Sequence, residues 1–182
     1  SLGIKKGDEV IVPNITWVAT GKAVSYVGAT PIFADIGIND WTIDPKSIEK
    51  LINKKTRAIM PVHLYGQPSN MTKIMNIAKK YRLFVLEDAA PAIGAEFNEK
   101  KCGTFGDFAA FSFQGAKLLV SGEGGMLVTN NYRLYKKALK ISNHGRNEKK
   151  KFIIDSEGVK FKMSNIQAAL AVAQLERINE LI

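Results

Sequence analysis

The chain has 182 residues, about one ordinary domain or slightly more. With 46% apolar and 24% charged residues it has the balance of a globular chain, no apolar run long enough for a membrane span, and no charged-then-apolar leader. The net charge is +9, and the lone cysteine, Cys102, excludes an internal disulfide and a cysteine-built zinc site, so a cytoplasmic α/β protein with anionic partners is expected.

The predicted elements alternate. Glu9 to Val12 reads as a short buried strand broken by Pro13. Asn14 to Val27 reads as a loop entering a helix, with Thr16 as its cap and Gly28 closing it. Pro31 to Asp35 is the next strand. Asp44-Pro45 opens a helix in the cap-then-proline manner, with Ile48, Leu51 and Ile52 on one face. Arg57 to Val62 is a strand. Asn70 opens a helix whose Ile74, Ile77, Ala78 and Tyr81 fall at helical spacing. Leu83 to Leu86, Phe108 to Phe113 and Gly125 to Thr129 are apolar strands, and Leu134, Ala138 and Ile141 share a helix face. Ser164 and Gln167 fit a capping box ahead of a long helix. Short apolar strands alternating with helices predict a three-layer α/β fold, a mostly parallel sheet with helices on both faces. The chain starts at the approach to a strand and stops inside an amphipathic helix, as expected of a fragment of a longer protein.

In open α/β sheets ligands bind beyond the carboxyl ends of the strands. Glu87-Asp88 is expected there, straight after Leu86, where a carboxylate needs a partner; a helix cap or turn is the plain reading, and a cation such as a protonated ring nitrogen the functional one. Lys117 follows the strand Phe108 to Phe113 and precedes Leu118-Leu119-Val120. Burial there would favour the neutral amine, which can attack a carbonyl and form a Schiff base. Trp17 is either core packing or a flat face for stacking a ligand.

Other signals are weaker. Gly122-Glu123-Gly124-Gly125 is neither a Walker sequence nor a dinucleotide fingerprint, and reads best as a tight turn. His63 and His144 have no ligand-spaced neighbours, so no metal site is expected. Cys102 is placed in a polar turn, and no nucleophile elbow is present. Lys136 to Lys162 holds nine basic and three acidic residues, a local +6. The stretch is expected to be a solvated face or to recognise small-molecule phosphates; a nucleic-acid signature is missing.

Several segments carry a resemblance when taken in order: Glu9-Val-Ile-Val-Pro13, Thr16-Trp-Val-Ala-Thr20, Pro61-Val-His-Leu-Tyr-Gly66, Glu87-Asp-Ala-Ala90, Gly103-Thr-Phe-Gly-Asp107, Phe111-Ser-Phe113 with Lys117, Gly122-Glu-Gly-Gly-Met126, Asn143-His-Gly145, and Met163-Ser with Gln167-Ala-Ala169. Together they resemble the DegT/DnrJ/EryC1/StrS family of sugar aminotransferases, over nearly all of this chain and about half of a typical member. The resemblance implies that residues 1–182 are the large domain of a fold-type-I enzyme, without the opening helical segment and the small C-terminal domain. It implies pyridoxal 5′-phosphate (PLP), with Lys117 as the lysine that binds it covalently, Asp88 as the partner of its ring nitrogen, Trp17 stacked on the ring and Ser112 on the phosphate. Glutamate as amino donor, a nucleotide-linked keto-sugar as acceptor and a homodimer with the site at its interface follow from the same likeness. So does freed Lys117 as general base and acid.

Two positions depart from the family pattern. Pro91 stands where a Gln, Glu or His often contacts the ring hydroxyl. Lys160 stands where an Asn often contacts the phosphate of the neighbouring subunit's cofactor, and would meet it as a point charge. Lys117 itself argues against the dehydratases among the relatives, in which histidine replaces it. The alternatives are a non-catalytic relative or scaffold and, more remotely, a basic nucleic-acid binder.

Overall fold

A computed structural model of the chain describes residues 1–147, 149–150 and 152–182. Its centre is a six-stranded sheet formed by β1 (Glu9–Pro13), β2 (Thr30–Ala34), β3 (Thr56–Ile59), β4 (Phe84–Asp88), β7 (Phe108–Ser112) and β8 (Gly125–Val128), in the order β2-β1-β3-β4-β7-β8. Every pairing is parallel except that of β7 with β8. A two-stranded hairpin, β5 (Glu96–Phe97) with β6 (Lys100–Lys101), lies outside this sheet.

Strand alternation divides β1 between two cores. Val10 and Val12 pack with Val24, Ala29 and Ala58 on one face. Ile11 packs on the other with Ile48, Ile59, Met71, Ile74, Ile77 and Val85. The first face is covered by α1 (Val18–Tyr26), the second by α2 (Pro45–Leu51) and α3 (Met71–Tyr81). The expected layered α/β architecture is therefore present. The chain is completed by α4 (Tyr132–Ser142), α5 (Asn165–Glu176) and α6 (Ile178–Leu181).

Helix starts follow the local chemistry at three places. Asp44 accepts the Lys46 N–H ahead of Pro45, Asn70 accepts the Lys73 N–H, and Ser164 and Gln167 form the reciprocal capping box. Gly28 ends α1 with a φ of +78°, and its N–H reaches the Ser25 carbonyl.

Other expectations need correction. Thr16 does not cap α1: Trp17 occupies the cap position without a side-chain bond, because the Thr16 hydroxyl is engaged by Thr20, 3.0 Å away. Pro13 is the last residue of β1 and pairs with Ala34, a strand end where no N–H is needed. β3 stops at Ile59, and Val62 makes only an isolated bridge to Asp88. Glu87 and Asp88 lie within β4, since Asp88 pairs with Ala110 and its backbone N–H and C=O engage Pro61 and His63. Cys102 lies in a turn, as read, but its side chain is buried there.

Candidate functional site

β4 and β7 run side by side, and their carboxyl ends place Asp88 and Ser112 on one edge of the sheet. The Asp88 carboxylate takes two donors. The Thr20 hydroxyl reaches Oδ2 at 2.7 Å, and the Ala90 N–H reaches Oδ1 at 3.2 Å. Thr20 lies on the first turn of α1, so this bond draws the helix start, and Trp17 with it, to the end of β4. Trp17 is 76% exposed, which excludes core packing and leaves a broad aromatic face free.

Beyond Ser112 the chain closes a loop. The Phe113 N–H donates to Gly124 and its carbonyl accepts from Ser121, fixing both ends of residues 114–120. Lys117 lies in this loop, in a turn closed by its N–H to the Gln114 carbonyl. It is half-buried rather than buried: Leu118 faces solvent and only Leu119 of the apolar run is withdrawn. The apolar surroundings expected from the sequence are therefore only partly present. Gly122 and Gly124 have φ of +82° and +127°, so the glycine cluster is a tight turn, joined to Phe113.

Trp17, Asp88, Ser112 and Lys117 thus belong to one end of the sheet or to segments directly attached to it. Lys160 does not share those attachments. It pairs with Asn143 beyond α4, in a segment whose N–H groups on Val159 and Phe161 reach Ile141 and Ser142. In the basic stretch around it Lys140 is paired with Asp155, and Glu148 and Lys151 lie outside the described residues. Pro91 follows the turn in which Ala90 binds Asp88, and adds no side-chain donor.

Behind Asp88 lies Glu87, which the sequence placed with Asp88 at the strand end without disclosing its burial or its partners. Glu87 is 1% exposed, and its carboxylate accepts backbone N–H groups from Gly103, Phe105 and Gly106, each at 2.7 Å. His63, fully buried, adds a fourth contact at 3.1 Å. Since the His63 Nδ1 accepts the Ser69 N–H, its Nε2 carries the proton and donates to Glu87. Burial pushes the Glu87 carboxyl up, but His63 and the three N–H groups together outweigh it and hold the group below its ordinary value. Gly103 and Gly106 mark the close approach that this network needs. A Cβ at Gly106 would stand 2.6 Å from the Val85 carbonyl oxygen, and one at Gly103 would strike the Phe111 ring.

A cavity of about 510 Å³ is lined by Cys102, Gly103, Phe111, Val128 and Ile182 among others, and by none of the five predicted site residues. Among the described residues no group of three or more His, Cys, Asp or Glu is placed to hold a metal, and no helix is long and apolar enough to cross a membrane.

Residues 1–182 match the DegT/DnrJ/EryC1/StrS aminotransferase family. GDP-perosamine synthase of Escherichia coli O157:H7 is 46% identical over 182 residues, all of this chain and 50% of that protein. UDP-N-acetyl-3-dehydro-alpha-D-glucosamine 3-aminotransferase of Acidithiobacillus ferrooxidans is 48% identical over 146 residues, 80% of this chain and 40% of that one. The PLP form of Spr1654 from Streptococcus pneumoniae superposes with a TM-score of 0.92 at 28% identity, over 98% of this chain and 51% of that one. The chain spans about half the length of the curated relatives it matches.

Proposed function

The chain belongs to the DegT/DnrJ/EryC1/StrS aminotransferase family, and on that premise we propose that it serves a PLP-dependent transfer of an amino group from glutamate to a nucleotide-linked keto-sugar. The acceptor class is supported by two relatives whose names carry GDP- and UDP-linked sugars, and the cofactor by the PLP form of a structural neighbour. The observation that carries the reading is the placing of Asp88 and Ser112 at the ends of two adjoining parallel strands, with Lys117 in the loop that follows the second, in a chain matching the family from end to end.

The residues present fit the cofactor in kind. Lys117 offers the amine that would attach it and, once released, a base and acid for proton transfer at the substrate carbon. Asp88 offers a carboxylate whose two bonded donors leave lone pairs for a ring N–H. Trp17 offers an open aromatic face, and Ser112 a hydroxyl for the phosphate. When bound, the cofactor supplies the electron sink that stabilises negative charge on the substrate carbon. Lys160, set apart from this group, is assigned to the phosphate of a neighbouring subunit's cofactor, which requires a homodimer. The same cationic stretch suits a sugar nucleotide's diphosphate.

The test is to add PLP, reduce with borohydride and map the modified residue by mass spectrometry. A glutamate-dependent amination assay with a panel of GDP- and UDP-linked keto-sugars follows. Modification at Lys117 with turnover of one acceptor supports the reading. A folded protein that takes up no PLP supports a non-catalytic relative instead.

A further inference from the structure

We propose that Thr20, with Thr16 behind it, is a positioning residue that ties the aromatic face of Trp17 to the carboxylate of Asp88, so that stacking face and ring-nitrogen partner are set as one unit. The inference rests on the PLP reading above.

The geometry is a chain of hydroxyls with one direction. A carboxylate has no proton to give, so in the 2.7 Å contact the Thr20 hydroxyl donates to Asp88 Oδ2. A hydroxyl has a single proton, and that of Thr20 is spent. The 3.0 Å contact between Thr16 and Thr20 is then donated by Thr16. Both hydroxyls thus point their dipoles toward Asp88, and each bond strengthens the next.

The chain spans parts of the molecule far apart in sequence. Asp88 is fixed by its own strand: its N–H and C=O are bonded to Pro61 and His63, and it pairs with Ala110. Thr16 and Thr20 flank Trp17, the cap residue of α1, whose carbonyl accepts the Thr20 N–H at 3.1 Å. Thr20 is 3% exposed, and its β-branched side chain has few rotamers. The exposed indole of Trp17 is not held by packing of its own, so the backbone that carries it must be held instead. The Thr20–Asp88 bond does this, and it fixes the rotamer of Asp88 at the same time.

The experiment uses the full chain and reads PLP affinity by fluorescence titration, the visible absorption band of the bound cofactor, and thermal unfolding without PLP. Thr20→Val keeps the shape and removes the donor. It is expected to weaken PLP binding by about ten- to a hundredfold, the worth of a hydrogen bond to a charged group, and to change the absorption band. Thr20→Ser restores the hydroxyl and returns affinity to within about threefold of the parent. In an Asp88→Ala background, where the hydroxyl has no acceptor, Thr20→Val adds little, since the two residues act together. Parent-like affinity and spectrum in Thr20→Val, or equal behaviour of the Val and Ser variants, overturns the inference alone. Should Thr20→Val fail to fold, Thr16→Val decides: several-fold weaker binding is expected, and unchanged binding overturns it. A parent protein that binds no PLP removes both this inference and the reading beneath it.

Discussion

Glu87 and Asp88 are neighbours on β4 whose carboxylates serve opposite sides of the sheet. Glu87 is sealed inside with four donors, while Asp88 binds the start of α1 and keeps capacity for a further donor. Strand alternation makes this division unavoidable, so the inner carboxylate anchors the strand that presents the outer one.

Removing the inner anchor should be costly. Glu87→Ala leaves the N–H groups of Gly103, Phe105 and Gly106 and the proton of His63 without their acceptor. A loss of about 3–5 kcal/mol in unfolding free energy is expected, typical of breaking a buried charged network from one side. Urea denaturation measures it, and a loss below about 1 kcal/mol would show the network to be replaceable by water.

The same carboxylate gives a pH signature. Its folded-state pKa lies below the ordinary 4.5, so the unfolded chain binds the proton more readily. Its contribution to stability is full above 4.5 and fades as pH falls through the lower folded-state value. Denaturation midpoints across that window should fall more steeply for the parent than for Glu87→Gln. Parallel curves would contradict the assignment.

Gly103 donates to Glu87 from a φ of +89°, where an L side chain is strained, and its missing Cβ leaves room for Phe111. Gly103→Ala should therefore destabilise by more than about 1 kcal/mol. The measurement is again the denaturant midpoint, with Gly122→Ala as comparison, since no atom lies within 4 Å of a Cβ there although its φ is also positive. Equal effects would mean that backbone strain alone, and not the packing of the Glu87 loop, requires the glycine.

Cys102 sits beside this network. Burial, with the Glu87 charge adding to it, pushes its thiol up to about 11. At neutral pH the folded protein should resist thiol reagents and react fully only when unfolded. Stoichiometric labelling of the native protein within minutes would contradict that.

What the sequence disclosed and what it concealed divides by range of interaction. Asp44-Pro45, Asn70 and Ser164 with Gln167 act within four residues, and the structure uses each as read. The buried faces of α2 and α3 follow from periodicity, except that Tyr81, read onto the face of α3, is exposed. Thr16 was open to misreading because a threonine before a helix is a normal cap, and its actual partner, Thr20, is in turn committed to a residue 68 positions away. Glu87, His63 and Cys102 look polar or neutral in isolation; only tertiary contacts bury them. The β5–β6 hairpin escaped notice because its turn, Asn98-Glu99, holds two residues at positive φ without the glycine that normally marks such a turn.

The most direct test of the account is borohydride trapping of PLP on the full chain followed by peptide mapping. The account predicts one modified residue, Lys117, with no trapping in Lys117→Ala and much weaker uptake in Asp88→Ala. Trapping at other lysines, or uptake indifferent to both substitutions, would contradict it.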